Sequence, residues 1–428
     1  MKRFIALVLL CAASWLPASA RDGSGDRRQE AFDIVWRTVK EKHFDPTFGG
    51  VDWDKVRERY APRVTSVASD QELYALLQQM LGELGQSHFN IIPPEAIVEN
   101  ASEPPTGTTG ISVKYINNQL VITHVVEGSP AAAAGLRQGF VIKQVGDTPA
   151  EQIADRLREI KQSPAIKELM INRLALARID GKPDSGVRLV YLDERNRTKE
   201  VTVTREKRKG EMSQAMGNFP PQYMEFESRR LEGGIGYVRF NIFVMPLLDR
   251  IRAAIREMSD APGIIIDLRG NPGGVGAMSS GIVGVLETRQ VSLGTMKMRT
   301  GQVNFMVFPQ KNAYAGPVAV LIDSGSASTS EIFASGIQEI GRAVIVGERS
   351  AGAALPSVFQ KLPTGAIFQY AIGDFKSPRG TLIEGHGVIP DVEVKLSRSE
   401  LLKGSDPQID AAIKQIKKRA NAGERRAG

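Results

Sequence analysis

The second half of the chain alternates continuous apolar runs with helical patterns. The apolar runs predict strands at residues 235–240, 263–267, 318–322 and 343–346. Apolar residues at helical spacing lie between them, at residues 247–258, 277–286 and 332–340. Strands that are apolar along their whole length are buried on both faces, which is typical of parallel sheets covered by helices. The sequence therefore predicts an α/β core built on a largely parallel sheet.

A loop of small residues leads from the strand at 318–322 into the helix at 332–340. It reads Ser324-Gly325-Ser326-Ala327-Ser328-Thr329-Ser330-Glu331. The free N–H groups and the dipole of a helix N-terminus favour developing negative charge, so a serine here is well placed as a nucleophile. The same stretch also fits a capping box, with Ser328 as N-cap and Glu331 reaching back to it. The loop alone leaves both interpretations open.

A glycine turn, Gly270 to Gly274, follows the strand at 263–267 and precedes a helix. It contains no Gly-Lys-Ser/Thr and does not match the dinucleotide-binding glycine pattern, so we expect no nucleotide there. Backbone N–H groups of a Gly-Gly turn, together with the N–H that follows a serine nucleophile, can stabilise a tetrahedral oxyanion. We therefore interpret this turn as part of an oxyanion hole.

The chain has only four histidines, His43, His88, His124 and His386. No pair of them has the spacing of a zinc site, so we expect no metal and no other cofactor. His88 lies beside Ser87, just beyond a predicted helix, and is the best candidate for a general base. We expect structural or surface roles for His43 and His124, and leave His386, which lies near Glu384, undecided.

The N-terminus has the three parts of a secretory signal peptide. Lys2-Arg3 precede an apolar run at residues 4–16, and Ala18-Ser19-Ala20 is a small-residue cleavage site. We expect cleavage after Ala20 and export to a periplasmic or secreted location. The only cysteine, Cys11, follows Leu10 rather than a small residue, so lipidation is not expected. The mature chain would then lack cysteine and could use neither a disulfide nor a thiol nucleophile.

The chain is only slightly basic for its 428 residues, with a net charge of +7 and a pI near 9.3. The most basic run lies in residues 401–428 and fits a solvated helix end, so we expect no nucleic-acid partner. No apolar segment beyond the leader is long enough to span a bilayer. The oligomeric state stays open, and a homo-oligomer is possible.

Residues 104–206 differ from both neighbouring regions, because strand patterns dominate there. Gly110, Ile111, Ser112 and Val113 match the carboxylate-binding loop of PDZ domains, and Ser129-Pro130-Ala131 with Ala134-Gly135-Leu136 matches their central signature. The segment resembles a PDZ domain of the bacterial protease type. This resemblance implies that extended chains or C-termini bind by strand addition. A purely structural module is the alternative.

Five motifs in a fixed order carry a second resemblance. They are Val238-Arg239-Phe240, Asp267-Leu268-Arg269-Gly270-Asn271-Pro272-Gly273-Gly274, Ser326 to Ile332, Val346-Gly347-Glu348, and Glu384-Gly385-His386-Gly387-Val388-Ile389-Pro390-Asp391. Together they resemble the carboxy-terminal-processing (tail-specific) serine peptidase superfamily. This resemblance implies a crotonase/ClpP-like α/β catalytic core, a helical N-terminal region and an inserted PDZ-like domain.

That superfamily has two catalytic versions. The Ser-Lys version needs a lysine where this chain has Ala353, and no lysine occurs between Glu331 and Lys361. The tricorn-like version uses a tetrad, and its resemblance implies catalytic roles for Ser328, His88, Ser87 and Glu384. It also implies oxyanion donors at Gly274 and Thr329, with Gly273 close by. Phe89 departs from the pattern, since a small hydroxyl residue commonly follows the histidine.

We therefore expect a signal peptide at 1–20, a helical region at 21–103, a PDZ-like domain at 104–206, a peptidase core at 207–400 and a basic tail at 401–428. The expected function is an exported serine endopeptidase that cuts extended or unfolded polypeptides, and the PDZ-like resemblance implies recognition of their C-termini. A catalytically silent binding protein on the same fold is the main alternative. A crotonase-like acyl-CoA enzyme suits neither the leader nor the PDZ-like domain.

Because His88 must be neutral to act as a base, activity is expected to fall below about pH 6.5.

Overall fold

The computed structural model describes residues 24–94, 107–155, 157–158, 162–216, 219 and 221–427. The signal peptide predicted at 1–20 and the predicted boundary at 103–104 lie outside these residues. The described chain forms a mixed α/β structure with several sheets, a helical N-terminal region and a β-rich unit between that region and the core. In this part of the chain, no helix is both long enough and apolar enough to cross a membrane.

Three helices and a short strand form the N-terminal region. They are α1 Ser24–Lys42, α2 Trp53–Val64, α3 Asp70–Gly82 and β1 Asn90–Ile92. Helix α3 buries a stripe of apolar residues, and its N-cap is Ser69, whose side chain accepts a hydrogen bond from the Glu72 N–H. Strand β1 pairs with residues 367–371 of the core, with Ile91 opposite Phe368. This pairing anchors the loop between α3 and β1, which carries Ser87 and His88, against the core.

The β-rich unit is a sheet with strand order β3-β4-β5-β7-β8, and β6 pairs with β5. Its elements are β2 Gly107–Thr108, β3 Ile111–Ile116, β4 Gln119–Val125, α4 Pro130–Ala133, β5 Val141–Val145, β6 Thr148–Pro149, α5 Ala150–Asp155, α6 Pro164–Ile179, β7 Gly186–Leu192, β8 Thr198–Thr204 and β9 Glu206–Lys207. Ser163 caps α6, because its side chain accepts a hydrogen bond from the Ile166 N–H. Strands β2 and β9 pair and bring the two ends of the unit together.

The core sheet has the order β12-β13-β14-β17-β18-β22. The elements from β10 onward are β10 Glu211–Met212, β11 Tyr223–Met224, β12 Phe226–Arg230, β13 Gly236–Phe240, α7 Met245–Glu257, β14 Ile264–Asp267, α8 Ala277–Val283, β15 Val291–Met298, β16 Gly301–Val307, β17 Val318–Ile322, α9 Thr329–Glu339, β18 Ala343–Gly347, β19 Ser357–Lys361, β20 Ile367–Ala371, β21 Gly373–Lys376, β22 Val392–Glu393, α10 Arg398–Leu402 and α11 Pro407–Ala427. Within this sheet β13, β14, β17, β18 and β22 run parallel, and β12 adds an antiparallel edge. The predicted parallel sheet is confirmed.

Alternate residues of the central strands face opposite helical layers. Ile264 and Ile266 of β14 pack in the cluster that contains α7, α8 and α9, whereas Ile265 packs with Ala412 and Ile416 of α11. Both layers exclude water, so every residue of β14 and β17 is buried. This two-sided burial explains why the strands read as continuous apolar runs.

The carboxyl ends of β14 and β17 meet at one edge of the sheet, because these neighbouring strands are parallel. The glycine turn follows β14 and the serine loop follows β17. A Cβ added at Gly273 would lie 2.7 Å from the backbone nitrogen of Thr329 and 2.8 Å from the Cβ of Ser328. The fold therefore brings the predicted oxyanion turn against the predicted nucleophile, and only glycine fits this approach.

Candidate active site

A cleft of about 2170 Å³ opens at this edge of the sheet. Three parts of the chain line it: the loop with Ser87 and His88, helix α6 with Arg173, and the core with the glycine turn and Ser328. Every residue that the resemblance implies for nucleophile, base and oxyanion donors lies on its wall. Its apolar lining is supplied by Ile166, Met170, Met216, Ile242, Phe305 and Ile332, among others.

Ser328 is the N-cap of α9 and has a strained backbone, with φ of 54° and ψ of −116°. Non-glycine residues with positive φ cost free energy and persist only where the surroundings hold them. Here the Ser328 N–H donates to the carbonyl of Ala353 at 2.8 Å and to the carboxylate of Glu331 at 3.0 Å. The capping interaction is thus present, and it also fixes the backbone from which the Ser328 side chain projects.

Glu331 has a wider role than the sequence indicated. Its buried carboxylate also accepts hydrogen bonds from the Ser350 hydroxyl at 2.6 Å and from the Gly352 and Ala353 N–H groups at 2.7 and 2.9 Å. Burial raises the Glu331 pKa to about 7, and these donors oppose that rise. The carboxylate therefore ties the start of α9 to the segment at 350–353, a link that no local pattern reveals.

Ser87, His88 and Glu384 form a continuous hydrogen-bonded chain. Ser87 Oγ lies 2.7 Å from His88 Nδ1 and donates to Glu384 Oε2 at 2.9 Å, while the Ser87 N–H donates to Glu384 Oε1 at 2.7 Å. Because an ionised carboxylate only accepts, the Ser87 hydroxyl proton points to Glu384, and Ser87 Oγ must accept from the Nδ1–H of His88. This tautomer leaves Nε2 of His88 unprotonated, which is the state a general base requires.

Glu384 is held by further donors, including the Ala354 N–H at 2.9 Å. Burial raises its pKa, and the hydrogen bonds from Ser87 and Ala354 oppose the rise. The segment at 350–354 thus contacts both Glu331 and Glu384, and so connects the Ser328 loop to the histidine. No direct hydrogen bond joins Ser328 to His88 among the described residues. Catalytic hydrogen bonds are often long in ligand-free enzymes and tighten when substrate binds.

The predicted oxyanion donors differ in whether their N–H groups are already used in hydrogen bonds within the protein. The Gly273 N–H donates to Asn271 Oδ1 at 2.9 Å, so it supports the turn itself. Thr329 is the first residue of α9, where N–H groups lack an intrahelical acceptor, and its hydroxyl donates to the Gly274 carbonyl at 2.7 Å. Gly274 and Thr329 therefore remain the candidate donors, and the Thr329 hydroxyl holds the two segments together.

Ala353, where the sequence resemblance places the lysine of the Ser-Lys version, also lines the cleft. The nearby Lys114 cannot substitute for that lysine. It lies between the β-rich unit and the core, with its Nζ 2.9 Å from Glu348, 3.4 Å from Asp323 and 3.6 Å from Glu168. Burial alone would lower the Lys114 pKa, but the three carboxylates raise it above its usual value. Lys114 therefore stays charged and joins the β-rich unit to the Ser328 loop.

His88 is a weaker base than its residue type suggests. Burial, and secondarily the positive charge of Arg173, lower the His88 pKa to about 4. The expectation that activity falls below about pH 6.5 is therefore corrected: the imidazole stays neutral, and thus competent as a base, down to about pH 4. Arg173 was missed by the sequence analysis, because a helix position in another unit gives no sign that it faces this histidine.

We expect Arg173→Met to shift the acid limb of kcat/KM to higher pH than in the wild-type protein. Removing the guanidinium removes a repulsion of the imidazolium, so His88 gains its proton at higher pH, although burial keeps its pKa below 6.5. The measurement is kcat/KM for one peptide between pH 3.5 and 8, with tryptophan fluorescence reporting folding at each pH. Arg173→Lys is the matched control, because it keeps the charge. Identical acid limbs in all three proteins would contradict the role of Arg173.

The other candidates lie apart from this chemistry. His386 is exposed and its Nδ1 contacts the Glu384 carbonyl at 2.9 Å, while His124 is exposed on β4. Of the PDZ-like loop residues, Gly110 precedes β3, and Ile111, Ser112 and Val113 begin it; β3 is an edge strand of its sheet. The Tyr115 N–H of that strand already donates to Asn172 Oδ1 of α6 at 2.7 Å. In the described part of the chain, no group of three acidic, histidine or cysteine residues is arranged to hold a metal ion.

Two family models match parts of this chain. The model of peptidase family S41 matches residues 234–394, and the model of the tricorn protease C1 domain matches residues 25–82. A carboxyl-terminal-processing protease of Synechocystis sp. is 27% identical over 389 residues, which cover 88% of this chain and 84% of that protein.

Two solved structures share the fold. A photosystem II D1 C-terminal processing protease superposes with a TM-score of 0.58 at 23% identity, covering 89% of this chain and 98% of that one. The tricorn protease superposes with a TM-score of 0.50 at 17% identity, covering 93% of this chain and 37% of that one. Residues 234–394 thus match peptidase family S41, the chain is similar in sequence to carboxyl-terminal-processing proteases, and the two superpositions show that it shares the fold of these proteins.

Proposed function

We propose that this chain is an exported serine endopeptidase that cuts extended or unfolded polypeptides through an acyl-enzyme, with the tetrad Ser328, His88, Ser87 and Glu384. The observation that carries the proposal is the hydrogen-bonded chain from Glu384 through Ser87 to His88, at the wall of the cleft that holds Ser328. The match of residues 25–82 to a tricorn protease domain supports the tetrad over a Ser-Lys dyad. Ala353 also supports the tetrad, because the resemblance places the lysine of the Ser-Lys dyad at this position.

In the proposed reaction, Ser328 Oγ attacks the scissile carbonyl and transfers its proton to His88 Nε2. The imidazolium that forms is stabilised through Ser87 by the Glu384 carboxylate, and it returns the proton to the leaving amine. Water then attacks the acyl-enzyme with His88 again acting as base. The N–H groups of Gly274 and Thr329 would bind the oxyanion in both steps, which agrees with their place beside Ser328.

The cleft and the β-rich unit suggest how substrate is held. A volume of about 2170 Å³ suits an extended segment of several residues, and its apolar lining favours unfolded chains. We assign the region at 104–206 as a PDZ-like domain that presents chains or C-termini to the core at 207–400. Strand addition at β3 would require the hydrogen bond from the Tyr115 N–H to Asn172 Oδ1 to be given up, so the Asn172 side chain must turn away when a chain binds there.

A fluorophosphonate probe tests the proposal, because it reacts only with an activated serine. We expect the purified mature chain to be labelled at one site, which peptide mass spectrometry identifies as Ser328, and to cut casein. Preincubation with the probe should stop casein cleavage in proportion to labelling. If the protein binds unfolded casein but is neither labelled nor able to cut it, the chain is a silent binding protein on this fold, and the peptidase proposal is wrong.

A further inference from the structure

His43 lies directly behind the turn that carries Ser87 and His88. Its side chain is fully buried at the end of α1. Its ring stacks on Phe89, with centroids 5.4 Å apart and planes at 12°, and its Nε2 lies 2.9 Å from the side-chain Oε1 of Gln86. One imidazole thus contacts the residues on both sides of Ser87-His88.

The turn needs such support. His88 has a φ of 61°, a conformation that costs a residue with a side chain roughly 1–3 kcal/mol and survives only where neighbours impose it. Glu384 holds Ser87 from the cleft side. Gln78 of α3 holds the strand beyond the turn, through the Phe89 carbonyl at 3.1 Å and the Ile91 N–H at 2.9 Å. His43 supplies the remaining contacts, to Gln86 and to the ring of Phe89.

Both ring nitrogens of His43 have partners. Nε2 lies 2.9 Å from Gln86 Oε1, which can only accept, so Nε2 donates there; Nδ1 lies 2.8 Å from the Asp45 carbonyl oxygen and 3.1 Å from the Asp45 N–H. Burial lowers the pKa of His43, so the ring is neutral near pH 7. A second ring, that of Phe44, stacks on the His43 imidazole at 4.7 Å and 17° and limits its movement.

We propose that His43 is a positioning residue for the reaction: through Gln86 and Phe89 it holds the strained Ser87-His88 turn so that the His88 imidazole faces the cleft. The inference rests on the proposed function of His88. It also accounts for Phe89, which stands where a small hydroxyl residue commonly follows the histidine. In this chain the larger ring packs on a buried imidazole, and the pair forms a support that the hydroxyl would not provide.

A double-mutant cycle tests this role. His43→Phe keeps a flat ring for stacking but loses the donor, and Gln86→Met loses the acceptor. We expect each single variant to lower kcat about 10-fold, with KM within about 2-fold of wild type. The double variant should be no slower than the slower single variant, because both changes remove the same hydrogen bond. Fluorophosphonate labelling rates should fall in parallel with kcat, and His124→Gln, on the exposed surface, should match wild type.

Each alternative outcome of this experiment leads to a different conclusion. Losses in kcat that multiply in the double variant would overturn the proposal, because His43 would not act through Gln86. A lower melting temperature with unchanged kcat and labelling, measured well below the melting transition, would reduce His43 to a structural residue. If the wild-type protein neither cuts peptides nor reacts with the probe, the proposed function itself fails, and the proposal for His43 fails with it.

Discussion

Replacing Ser328 by alanine will lower kcat for peptide cleavage by on the order of 10⁴-fold or more while leaving the fold intact. The change removes the oxygen that would form the acyl-enzyme but keeps the backbone, which is held by the Ala353 carbonyl and the Glu331 carboxylate. The measurements are casein cleavage, fluorophosphonate labelling, and melting by circular dichroism. Cleavage by Ser328→Ala at the wild-type rate would exclude Ser328 as the nucleophile.

Ser326→Ala is the matched control, two residues earlier in the same loop. The Ser326 hydroxyl is fully buried, donates to the Leu268 carbonyl at 2.7 Å and accepts from the Asp323 N–H at 3.0 Å. Its loss leaves the Asp323 N–H without this acceptor, at a cost of about 1–3 kcal/mol, while the Leu268 carbonyl keeps the hydrogen bond from the Asn271 N–H at 3.1 Å. We expect this variant to melt at a lower temperature yet react with the probe below that temperature. The pair separates loss of chemistry from loss of stability.

Gly274→Ala is expected to remove activity and to destabilise the core. The residue has a φ of 136°, and an added Cβ would lie 2.2 Å from the Phe243 carbonyl oxygen, which already accepts the Val275 N–H at 2.7 Å. The turn must therefore shift, and with it the N–H that we assign to the oxyanion. Loss of one such donor costs roughly 10²–10³ in kcat. The measurements are kcat for a peptide and the urea midpoint of unfolding.

Gly270→Ala is the control for backbone strain alone. Gly270 also has a positive φ, of 72°, but an added Cβ would meet nothing within 4 Å. We expect a loss of about 1–2 kcal/mol in the free energy of unfolding, and kcat within about 2-fold of wild type. If Gly274→Ala and Gly270→Ala behaved alike, strain rather than displacement of the turn would explain both, and the oxyanion assignment of Gly274 would lose its support.

The local patterns of the chain predicted its elements well. The alternation of apolar runs and helical patterns in the second half predicted the parallel sheet. The prediction succeeded because β14 and β17 are buried on both faces, so that every residue in them must be apolar or paired. Ser163-Pro164, a serine followed by a proline, marks the start of α6. The sequence also predicted the capping box of Ser328 and Glu331, because a cap depends on residues within one turn of one another.

The candidate site was assembled from the sequence only through a resemblance. Ser87 and Glu384 are 297 residues apart and meet in the structure through two hydrogen bonds. Spacing along the chain says nothing about such a contact. The order of motifs brought these residues to attention, and the tertiary structure supplied the distances and the tautomer of His88.

Three features had no signal in the sequence. Arg173 lowers the His88 pKa from a helix in another unit, Glu331 extends from a helix cap to the segment at 350–353, and His43 holds the turn from behind. Each is a contact between residues far apart in the chain. By itself the sequence determined the elements, their buried faces and the residue types available for catalysis, because those depend on neighbours within a few positions. The tertiary structure alone decided which charges, rings and N–H groups surround the histidine, because that depends on how separate units pack.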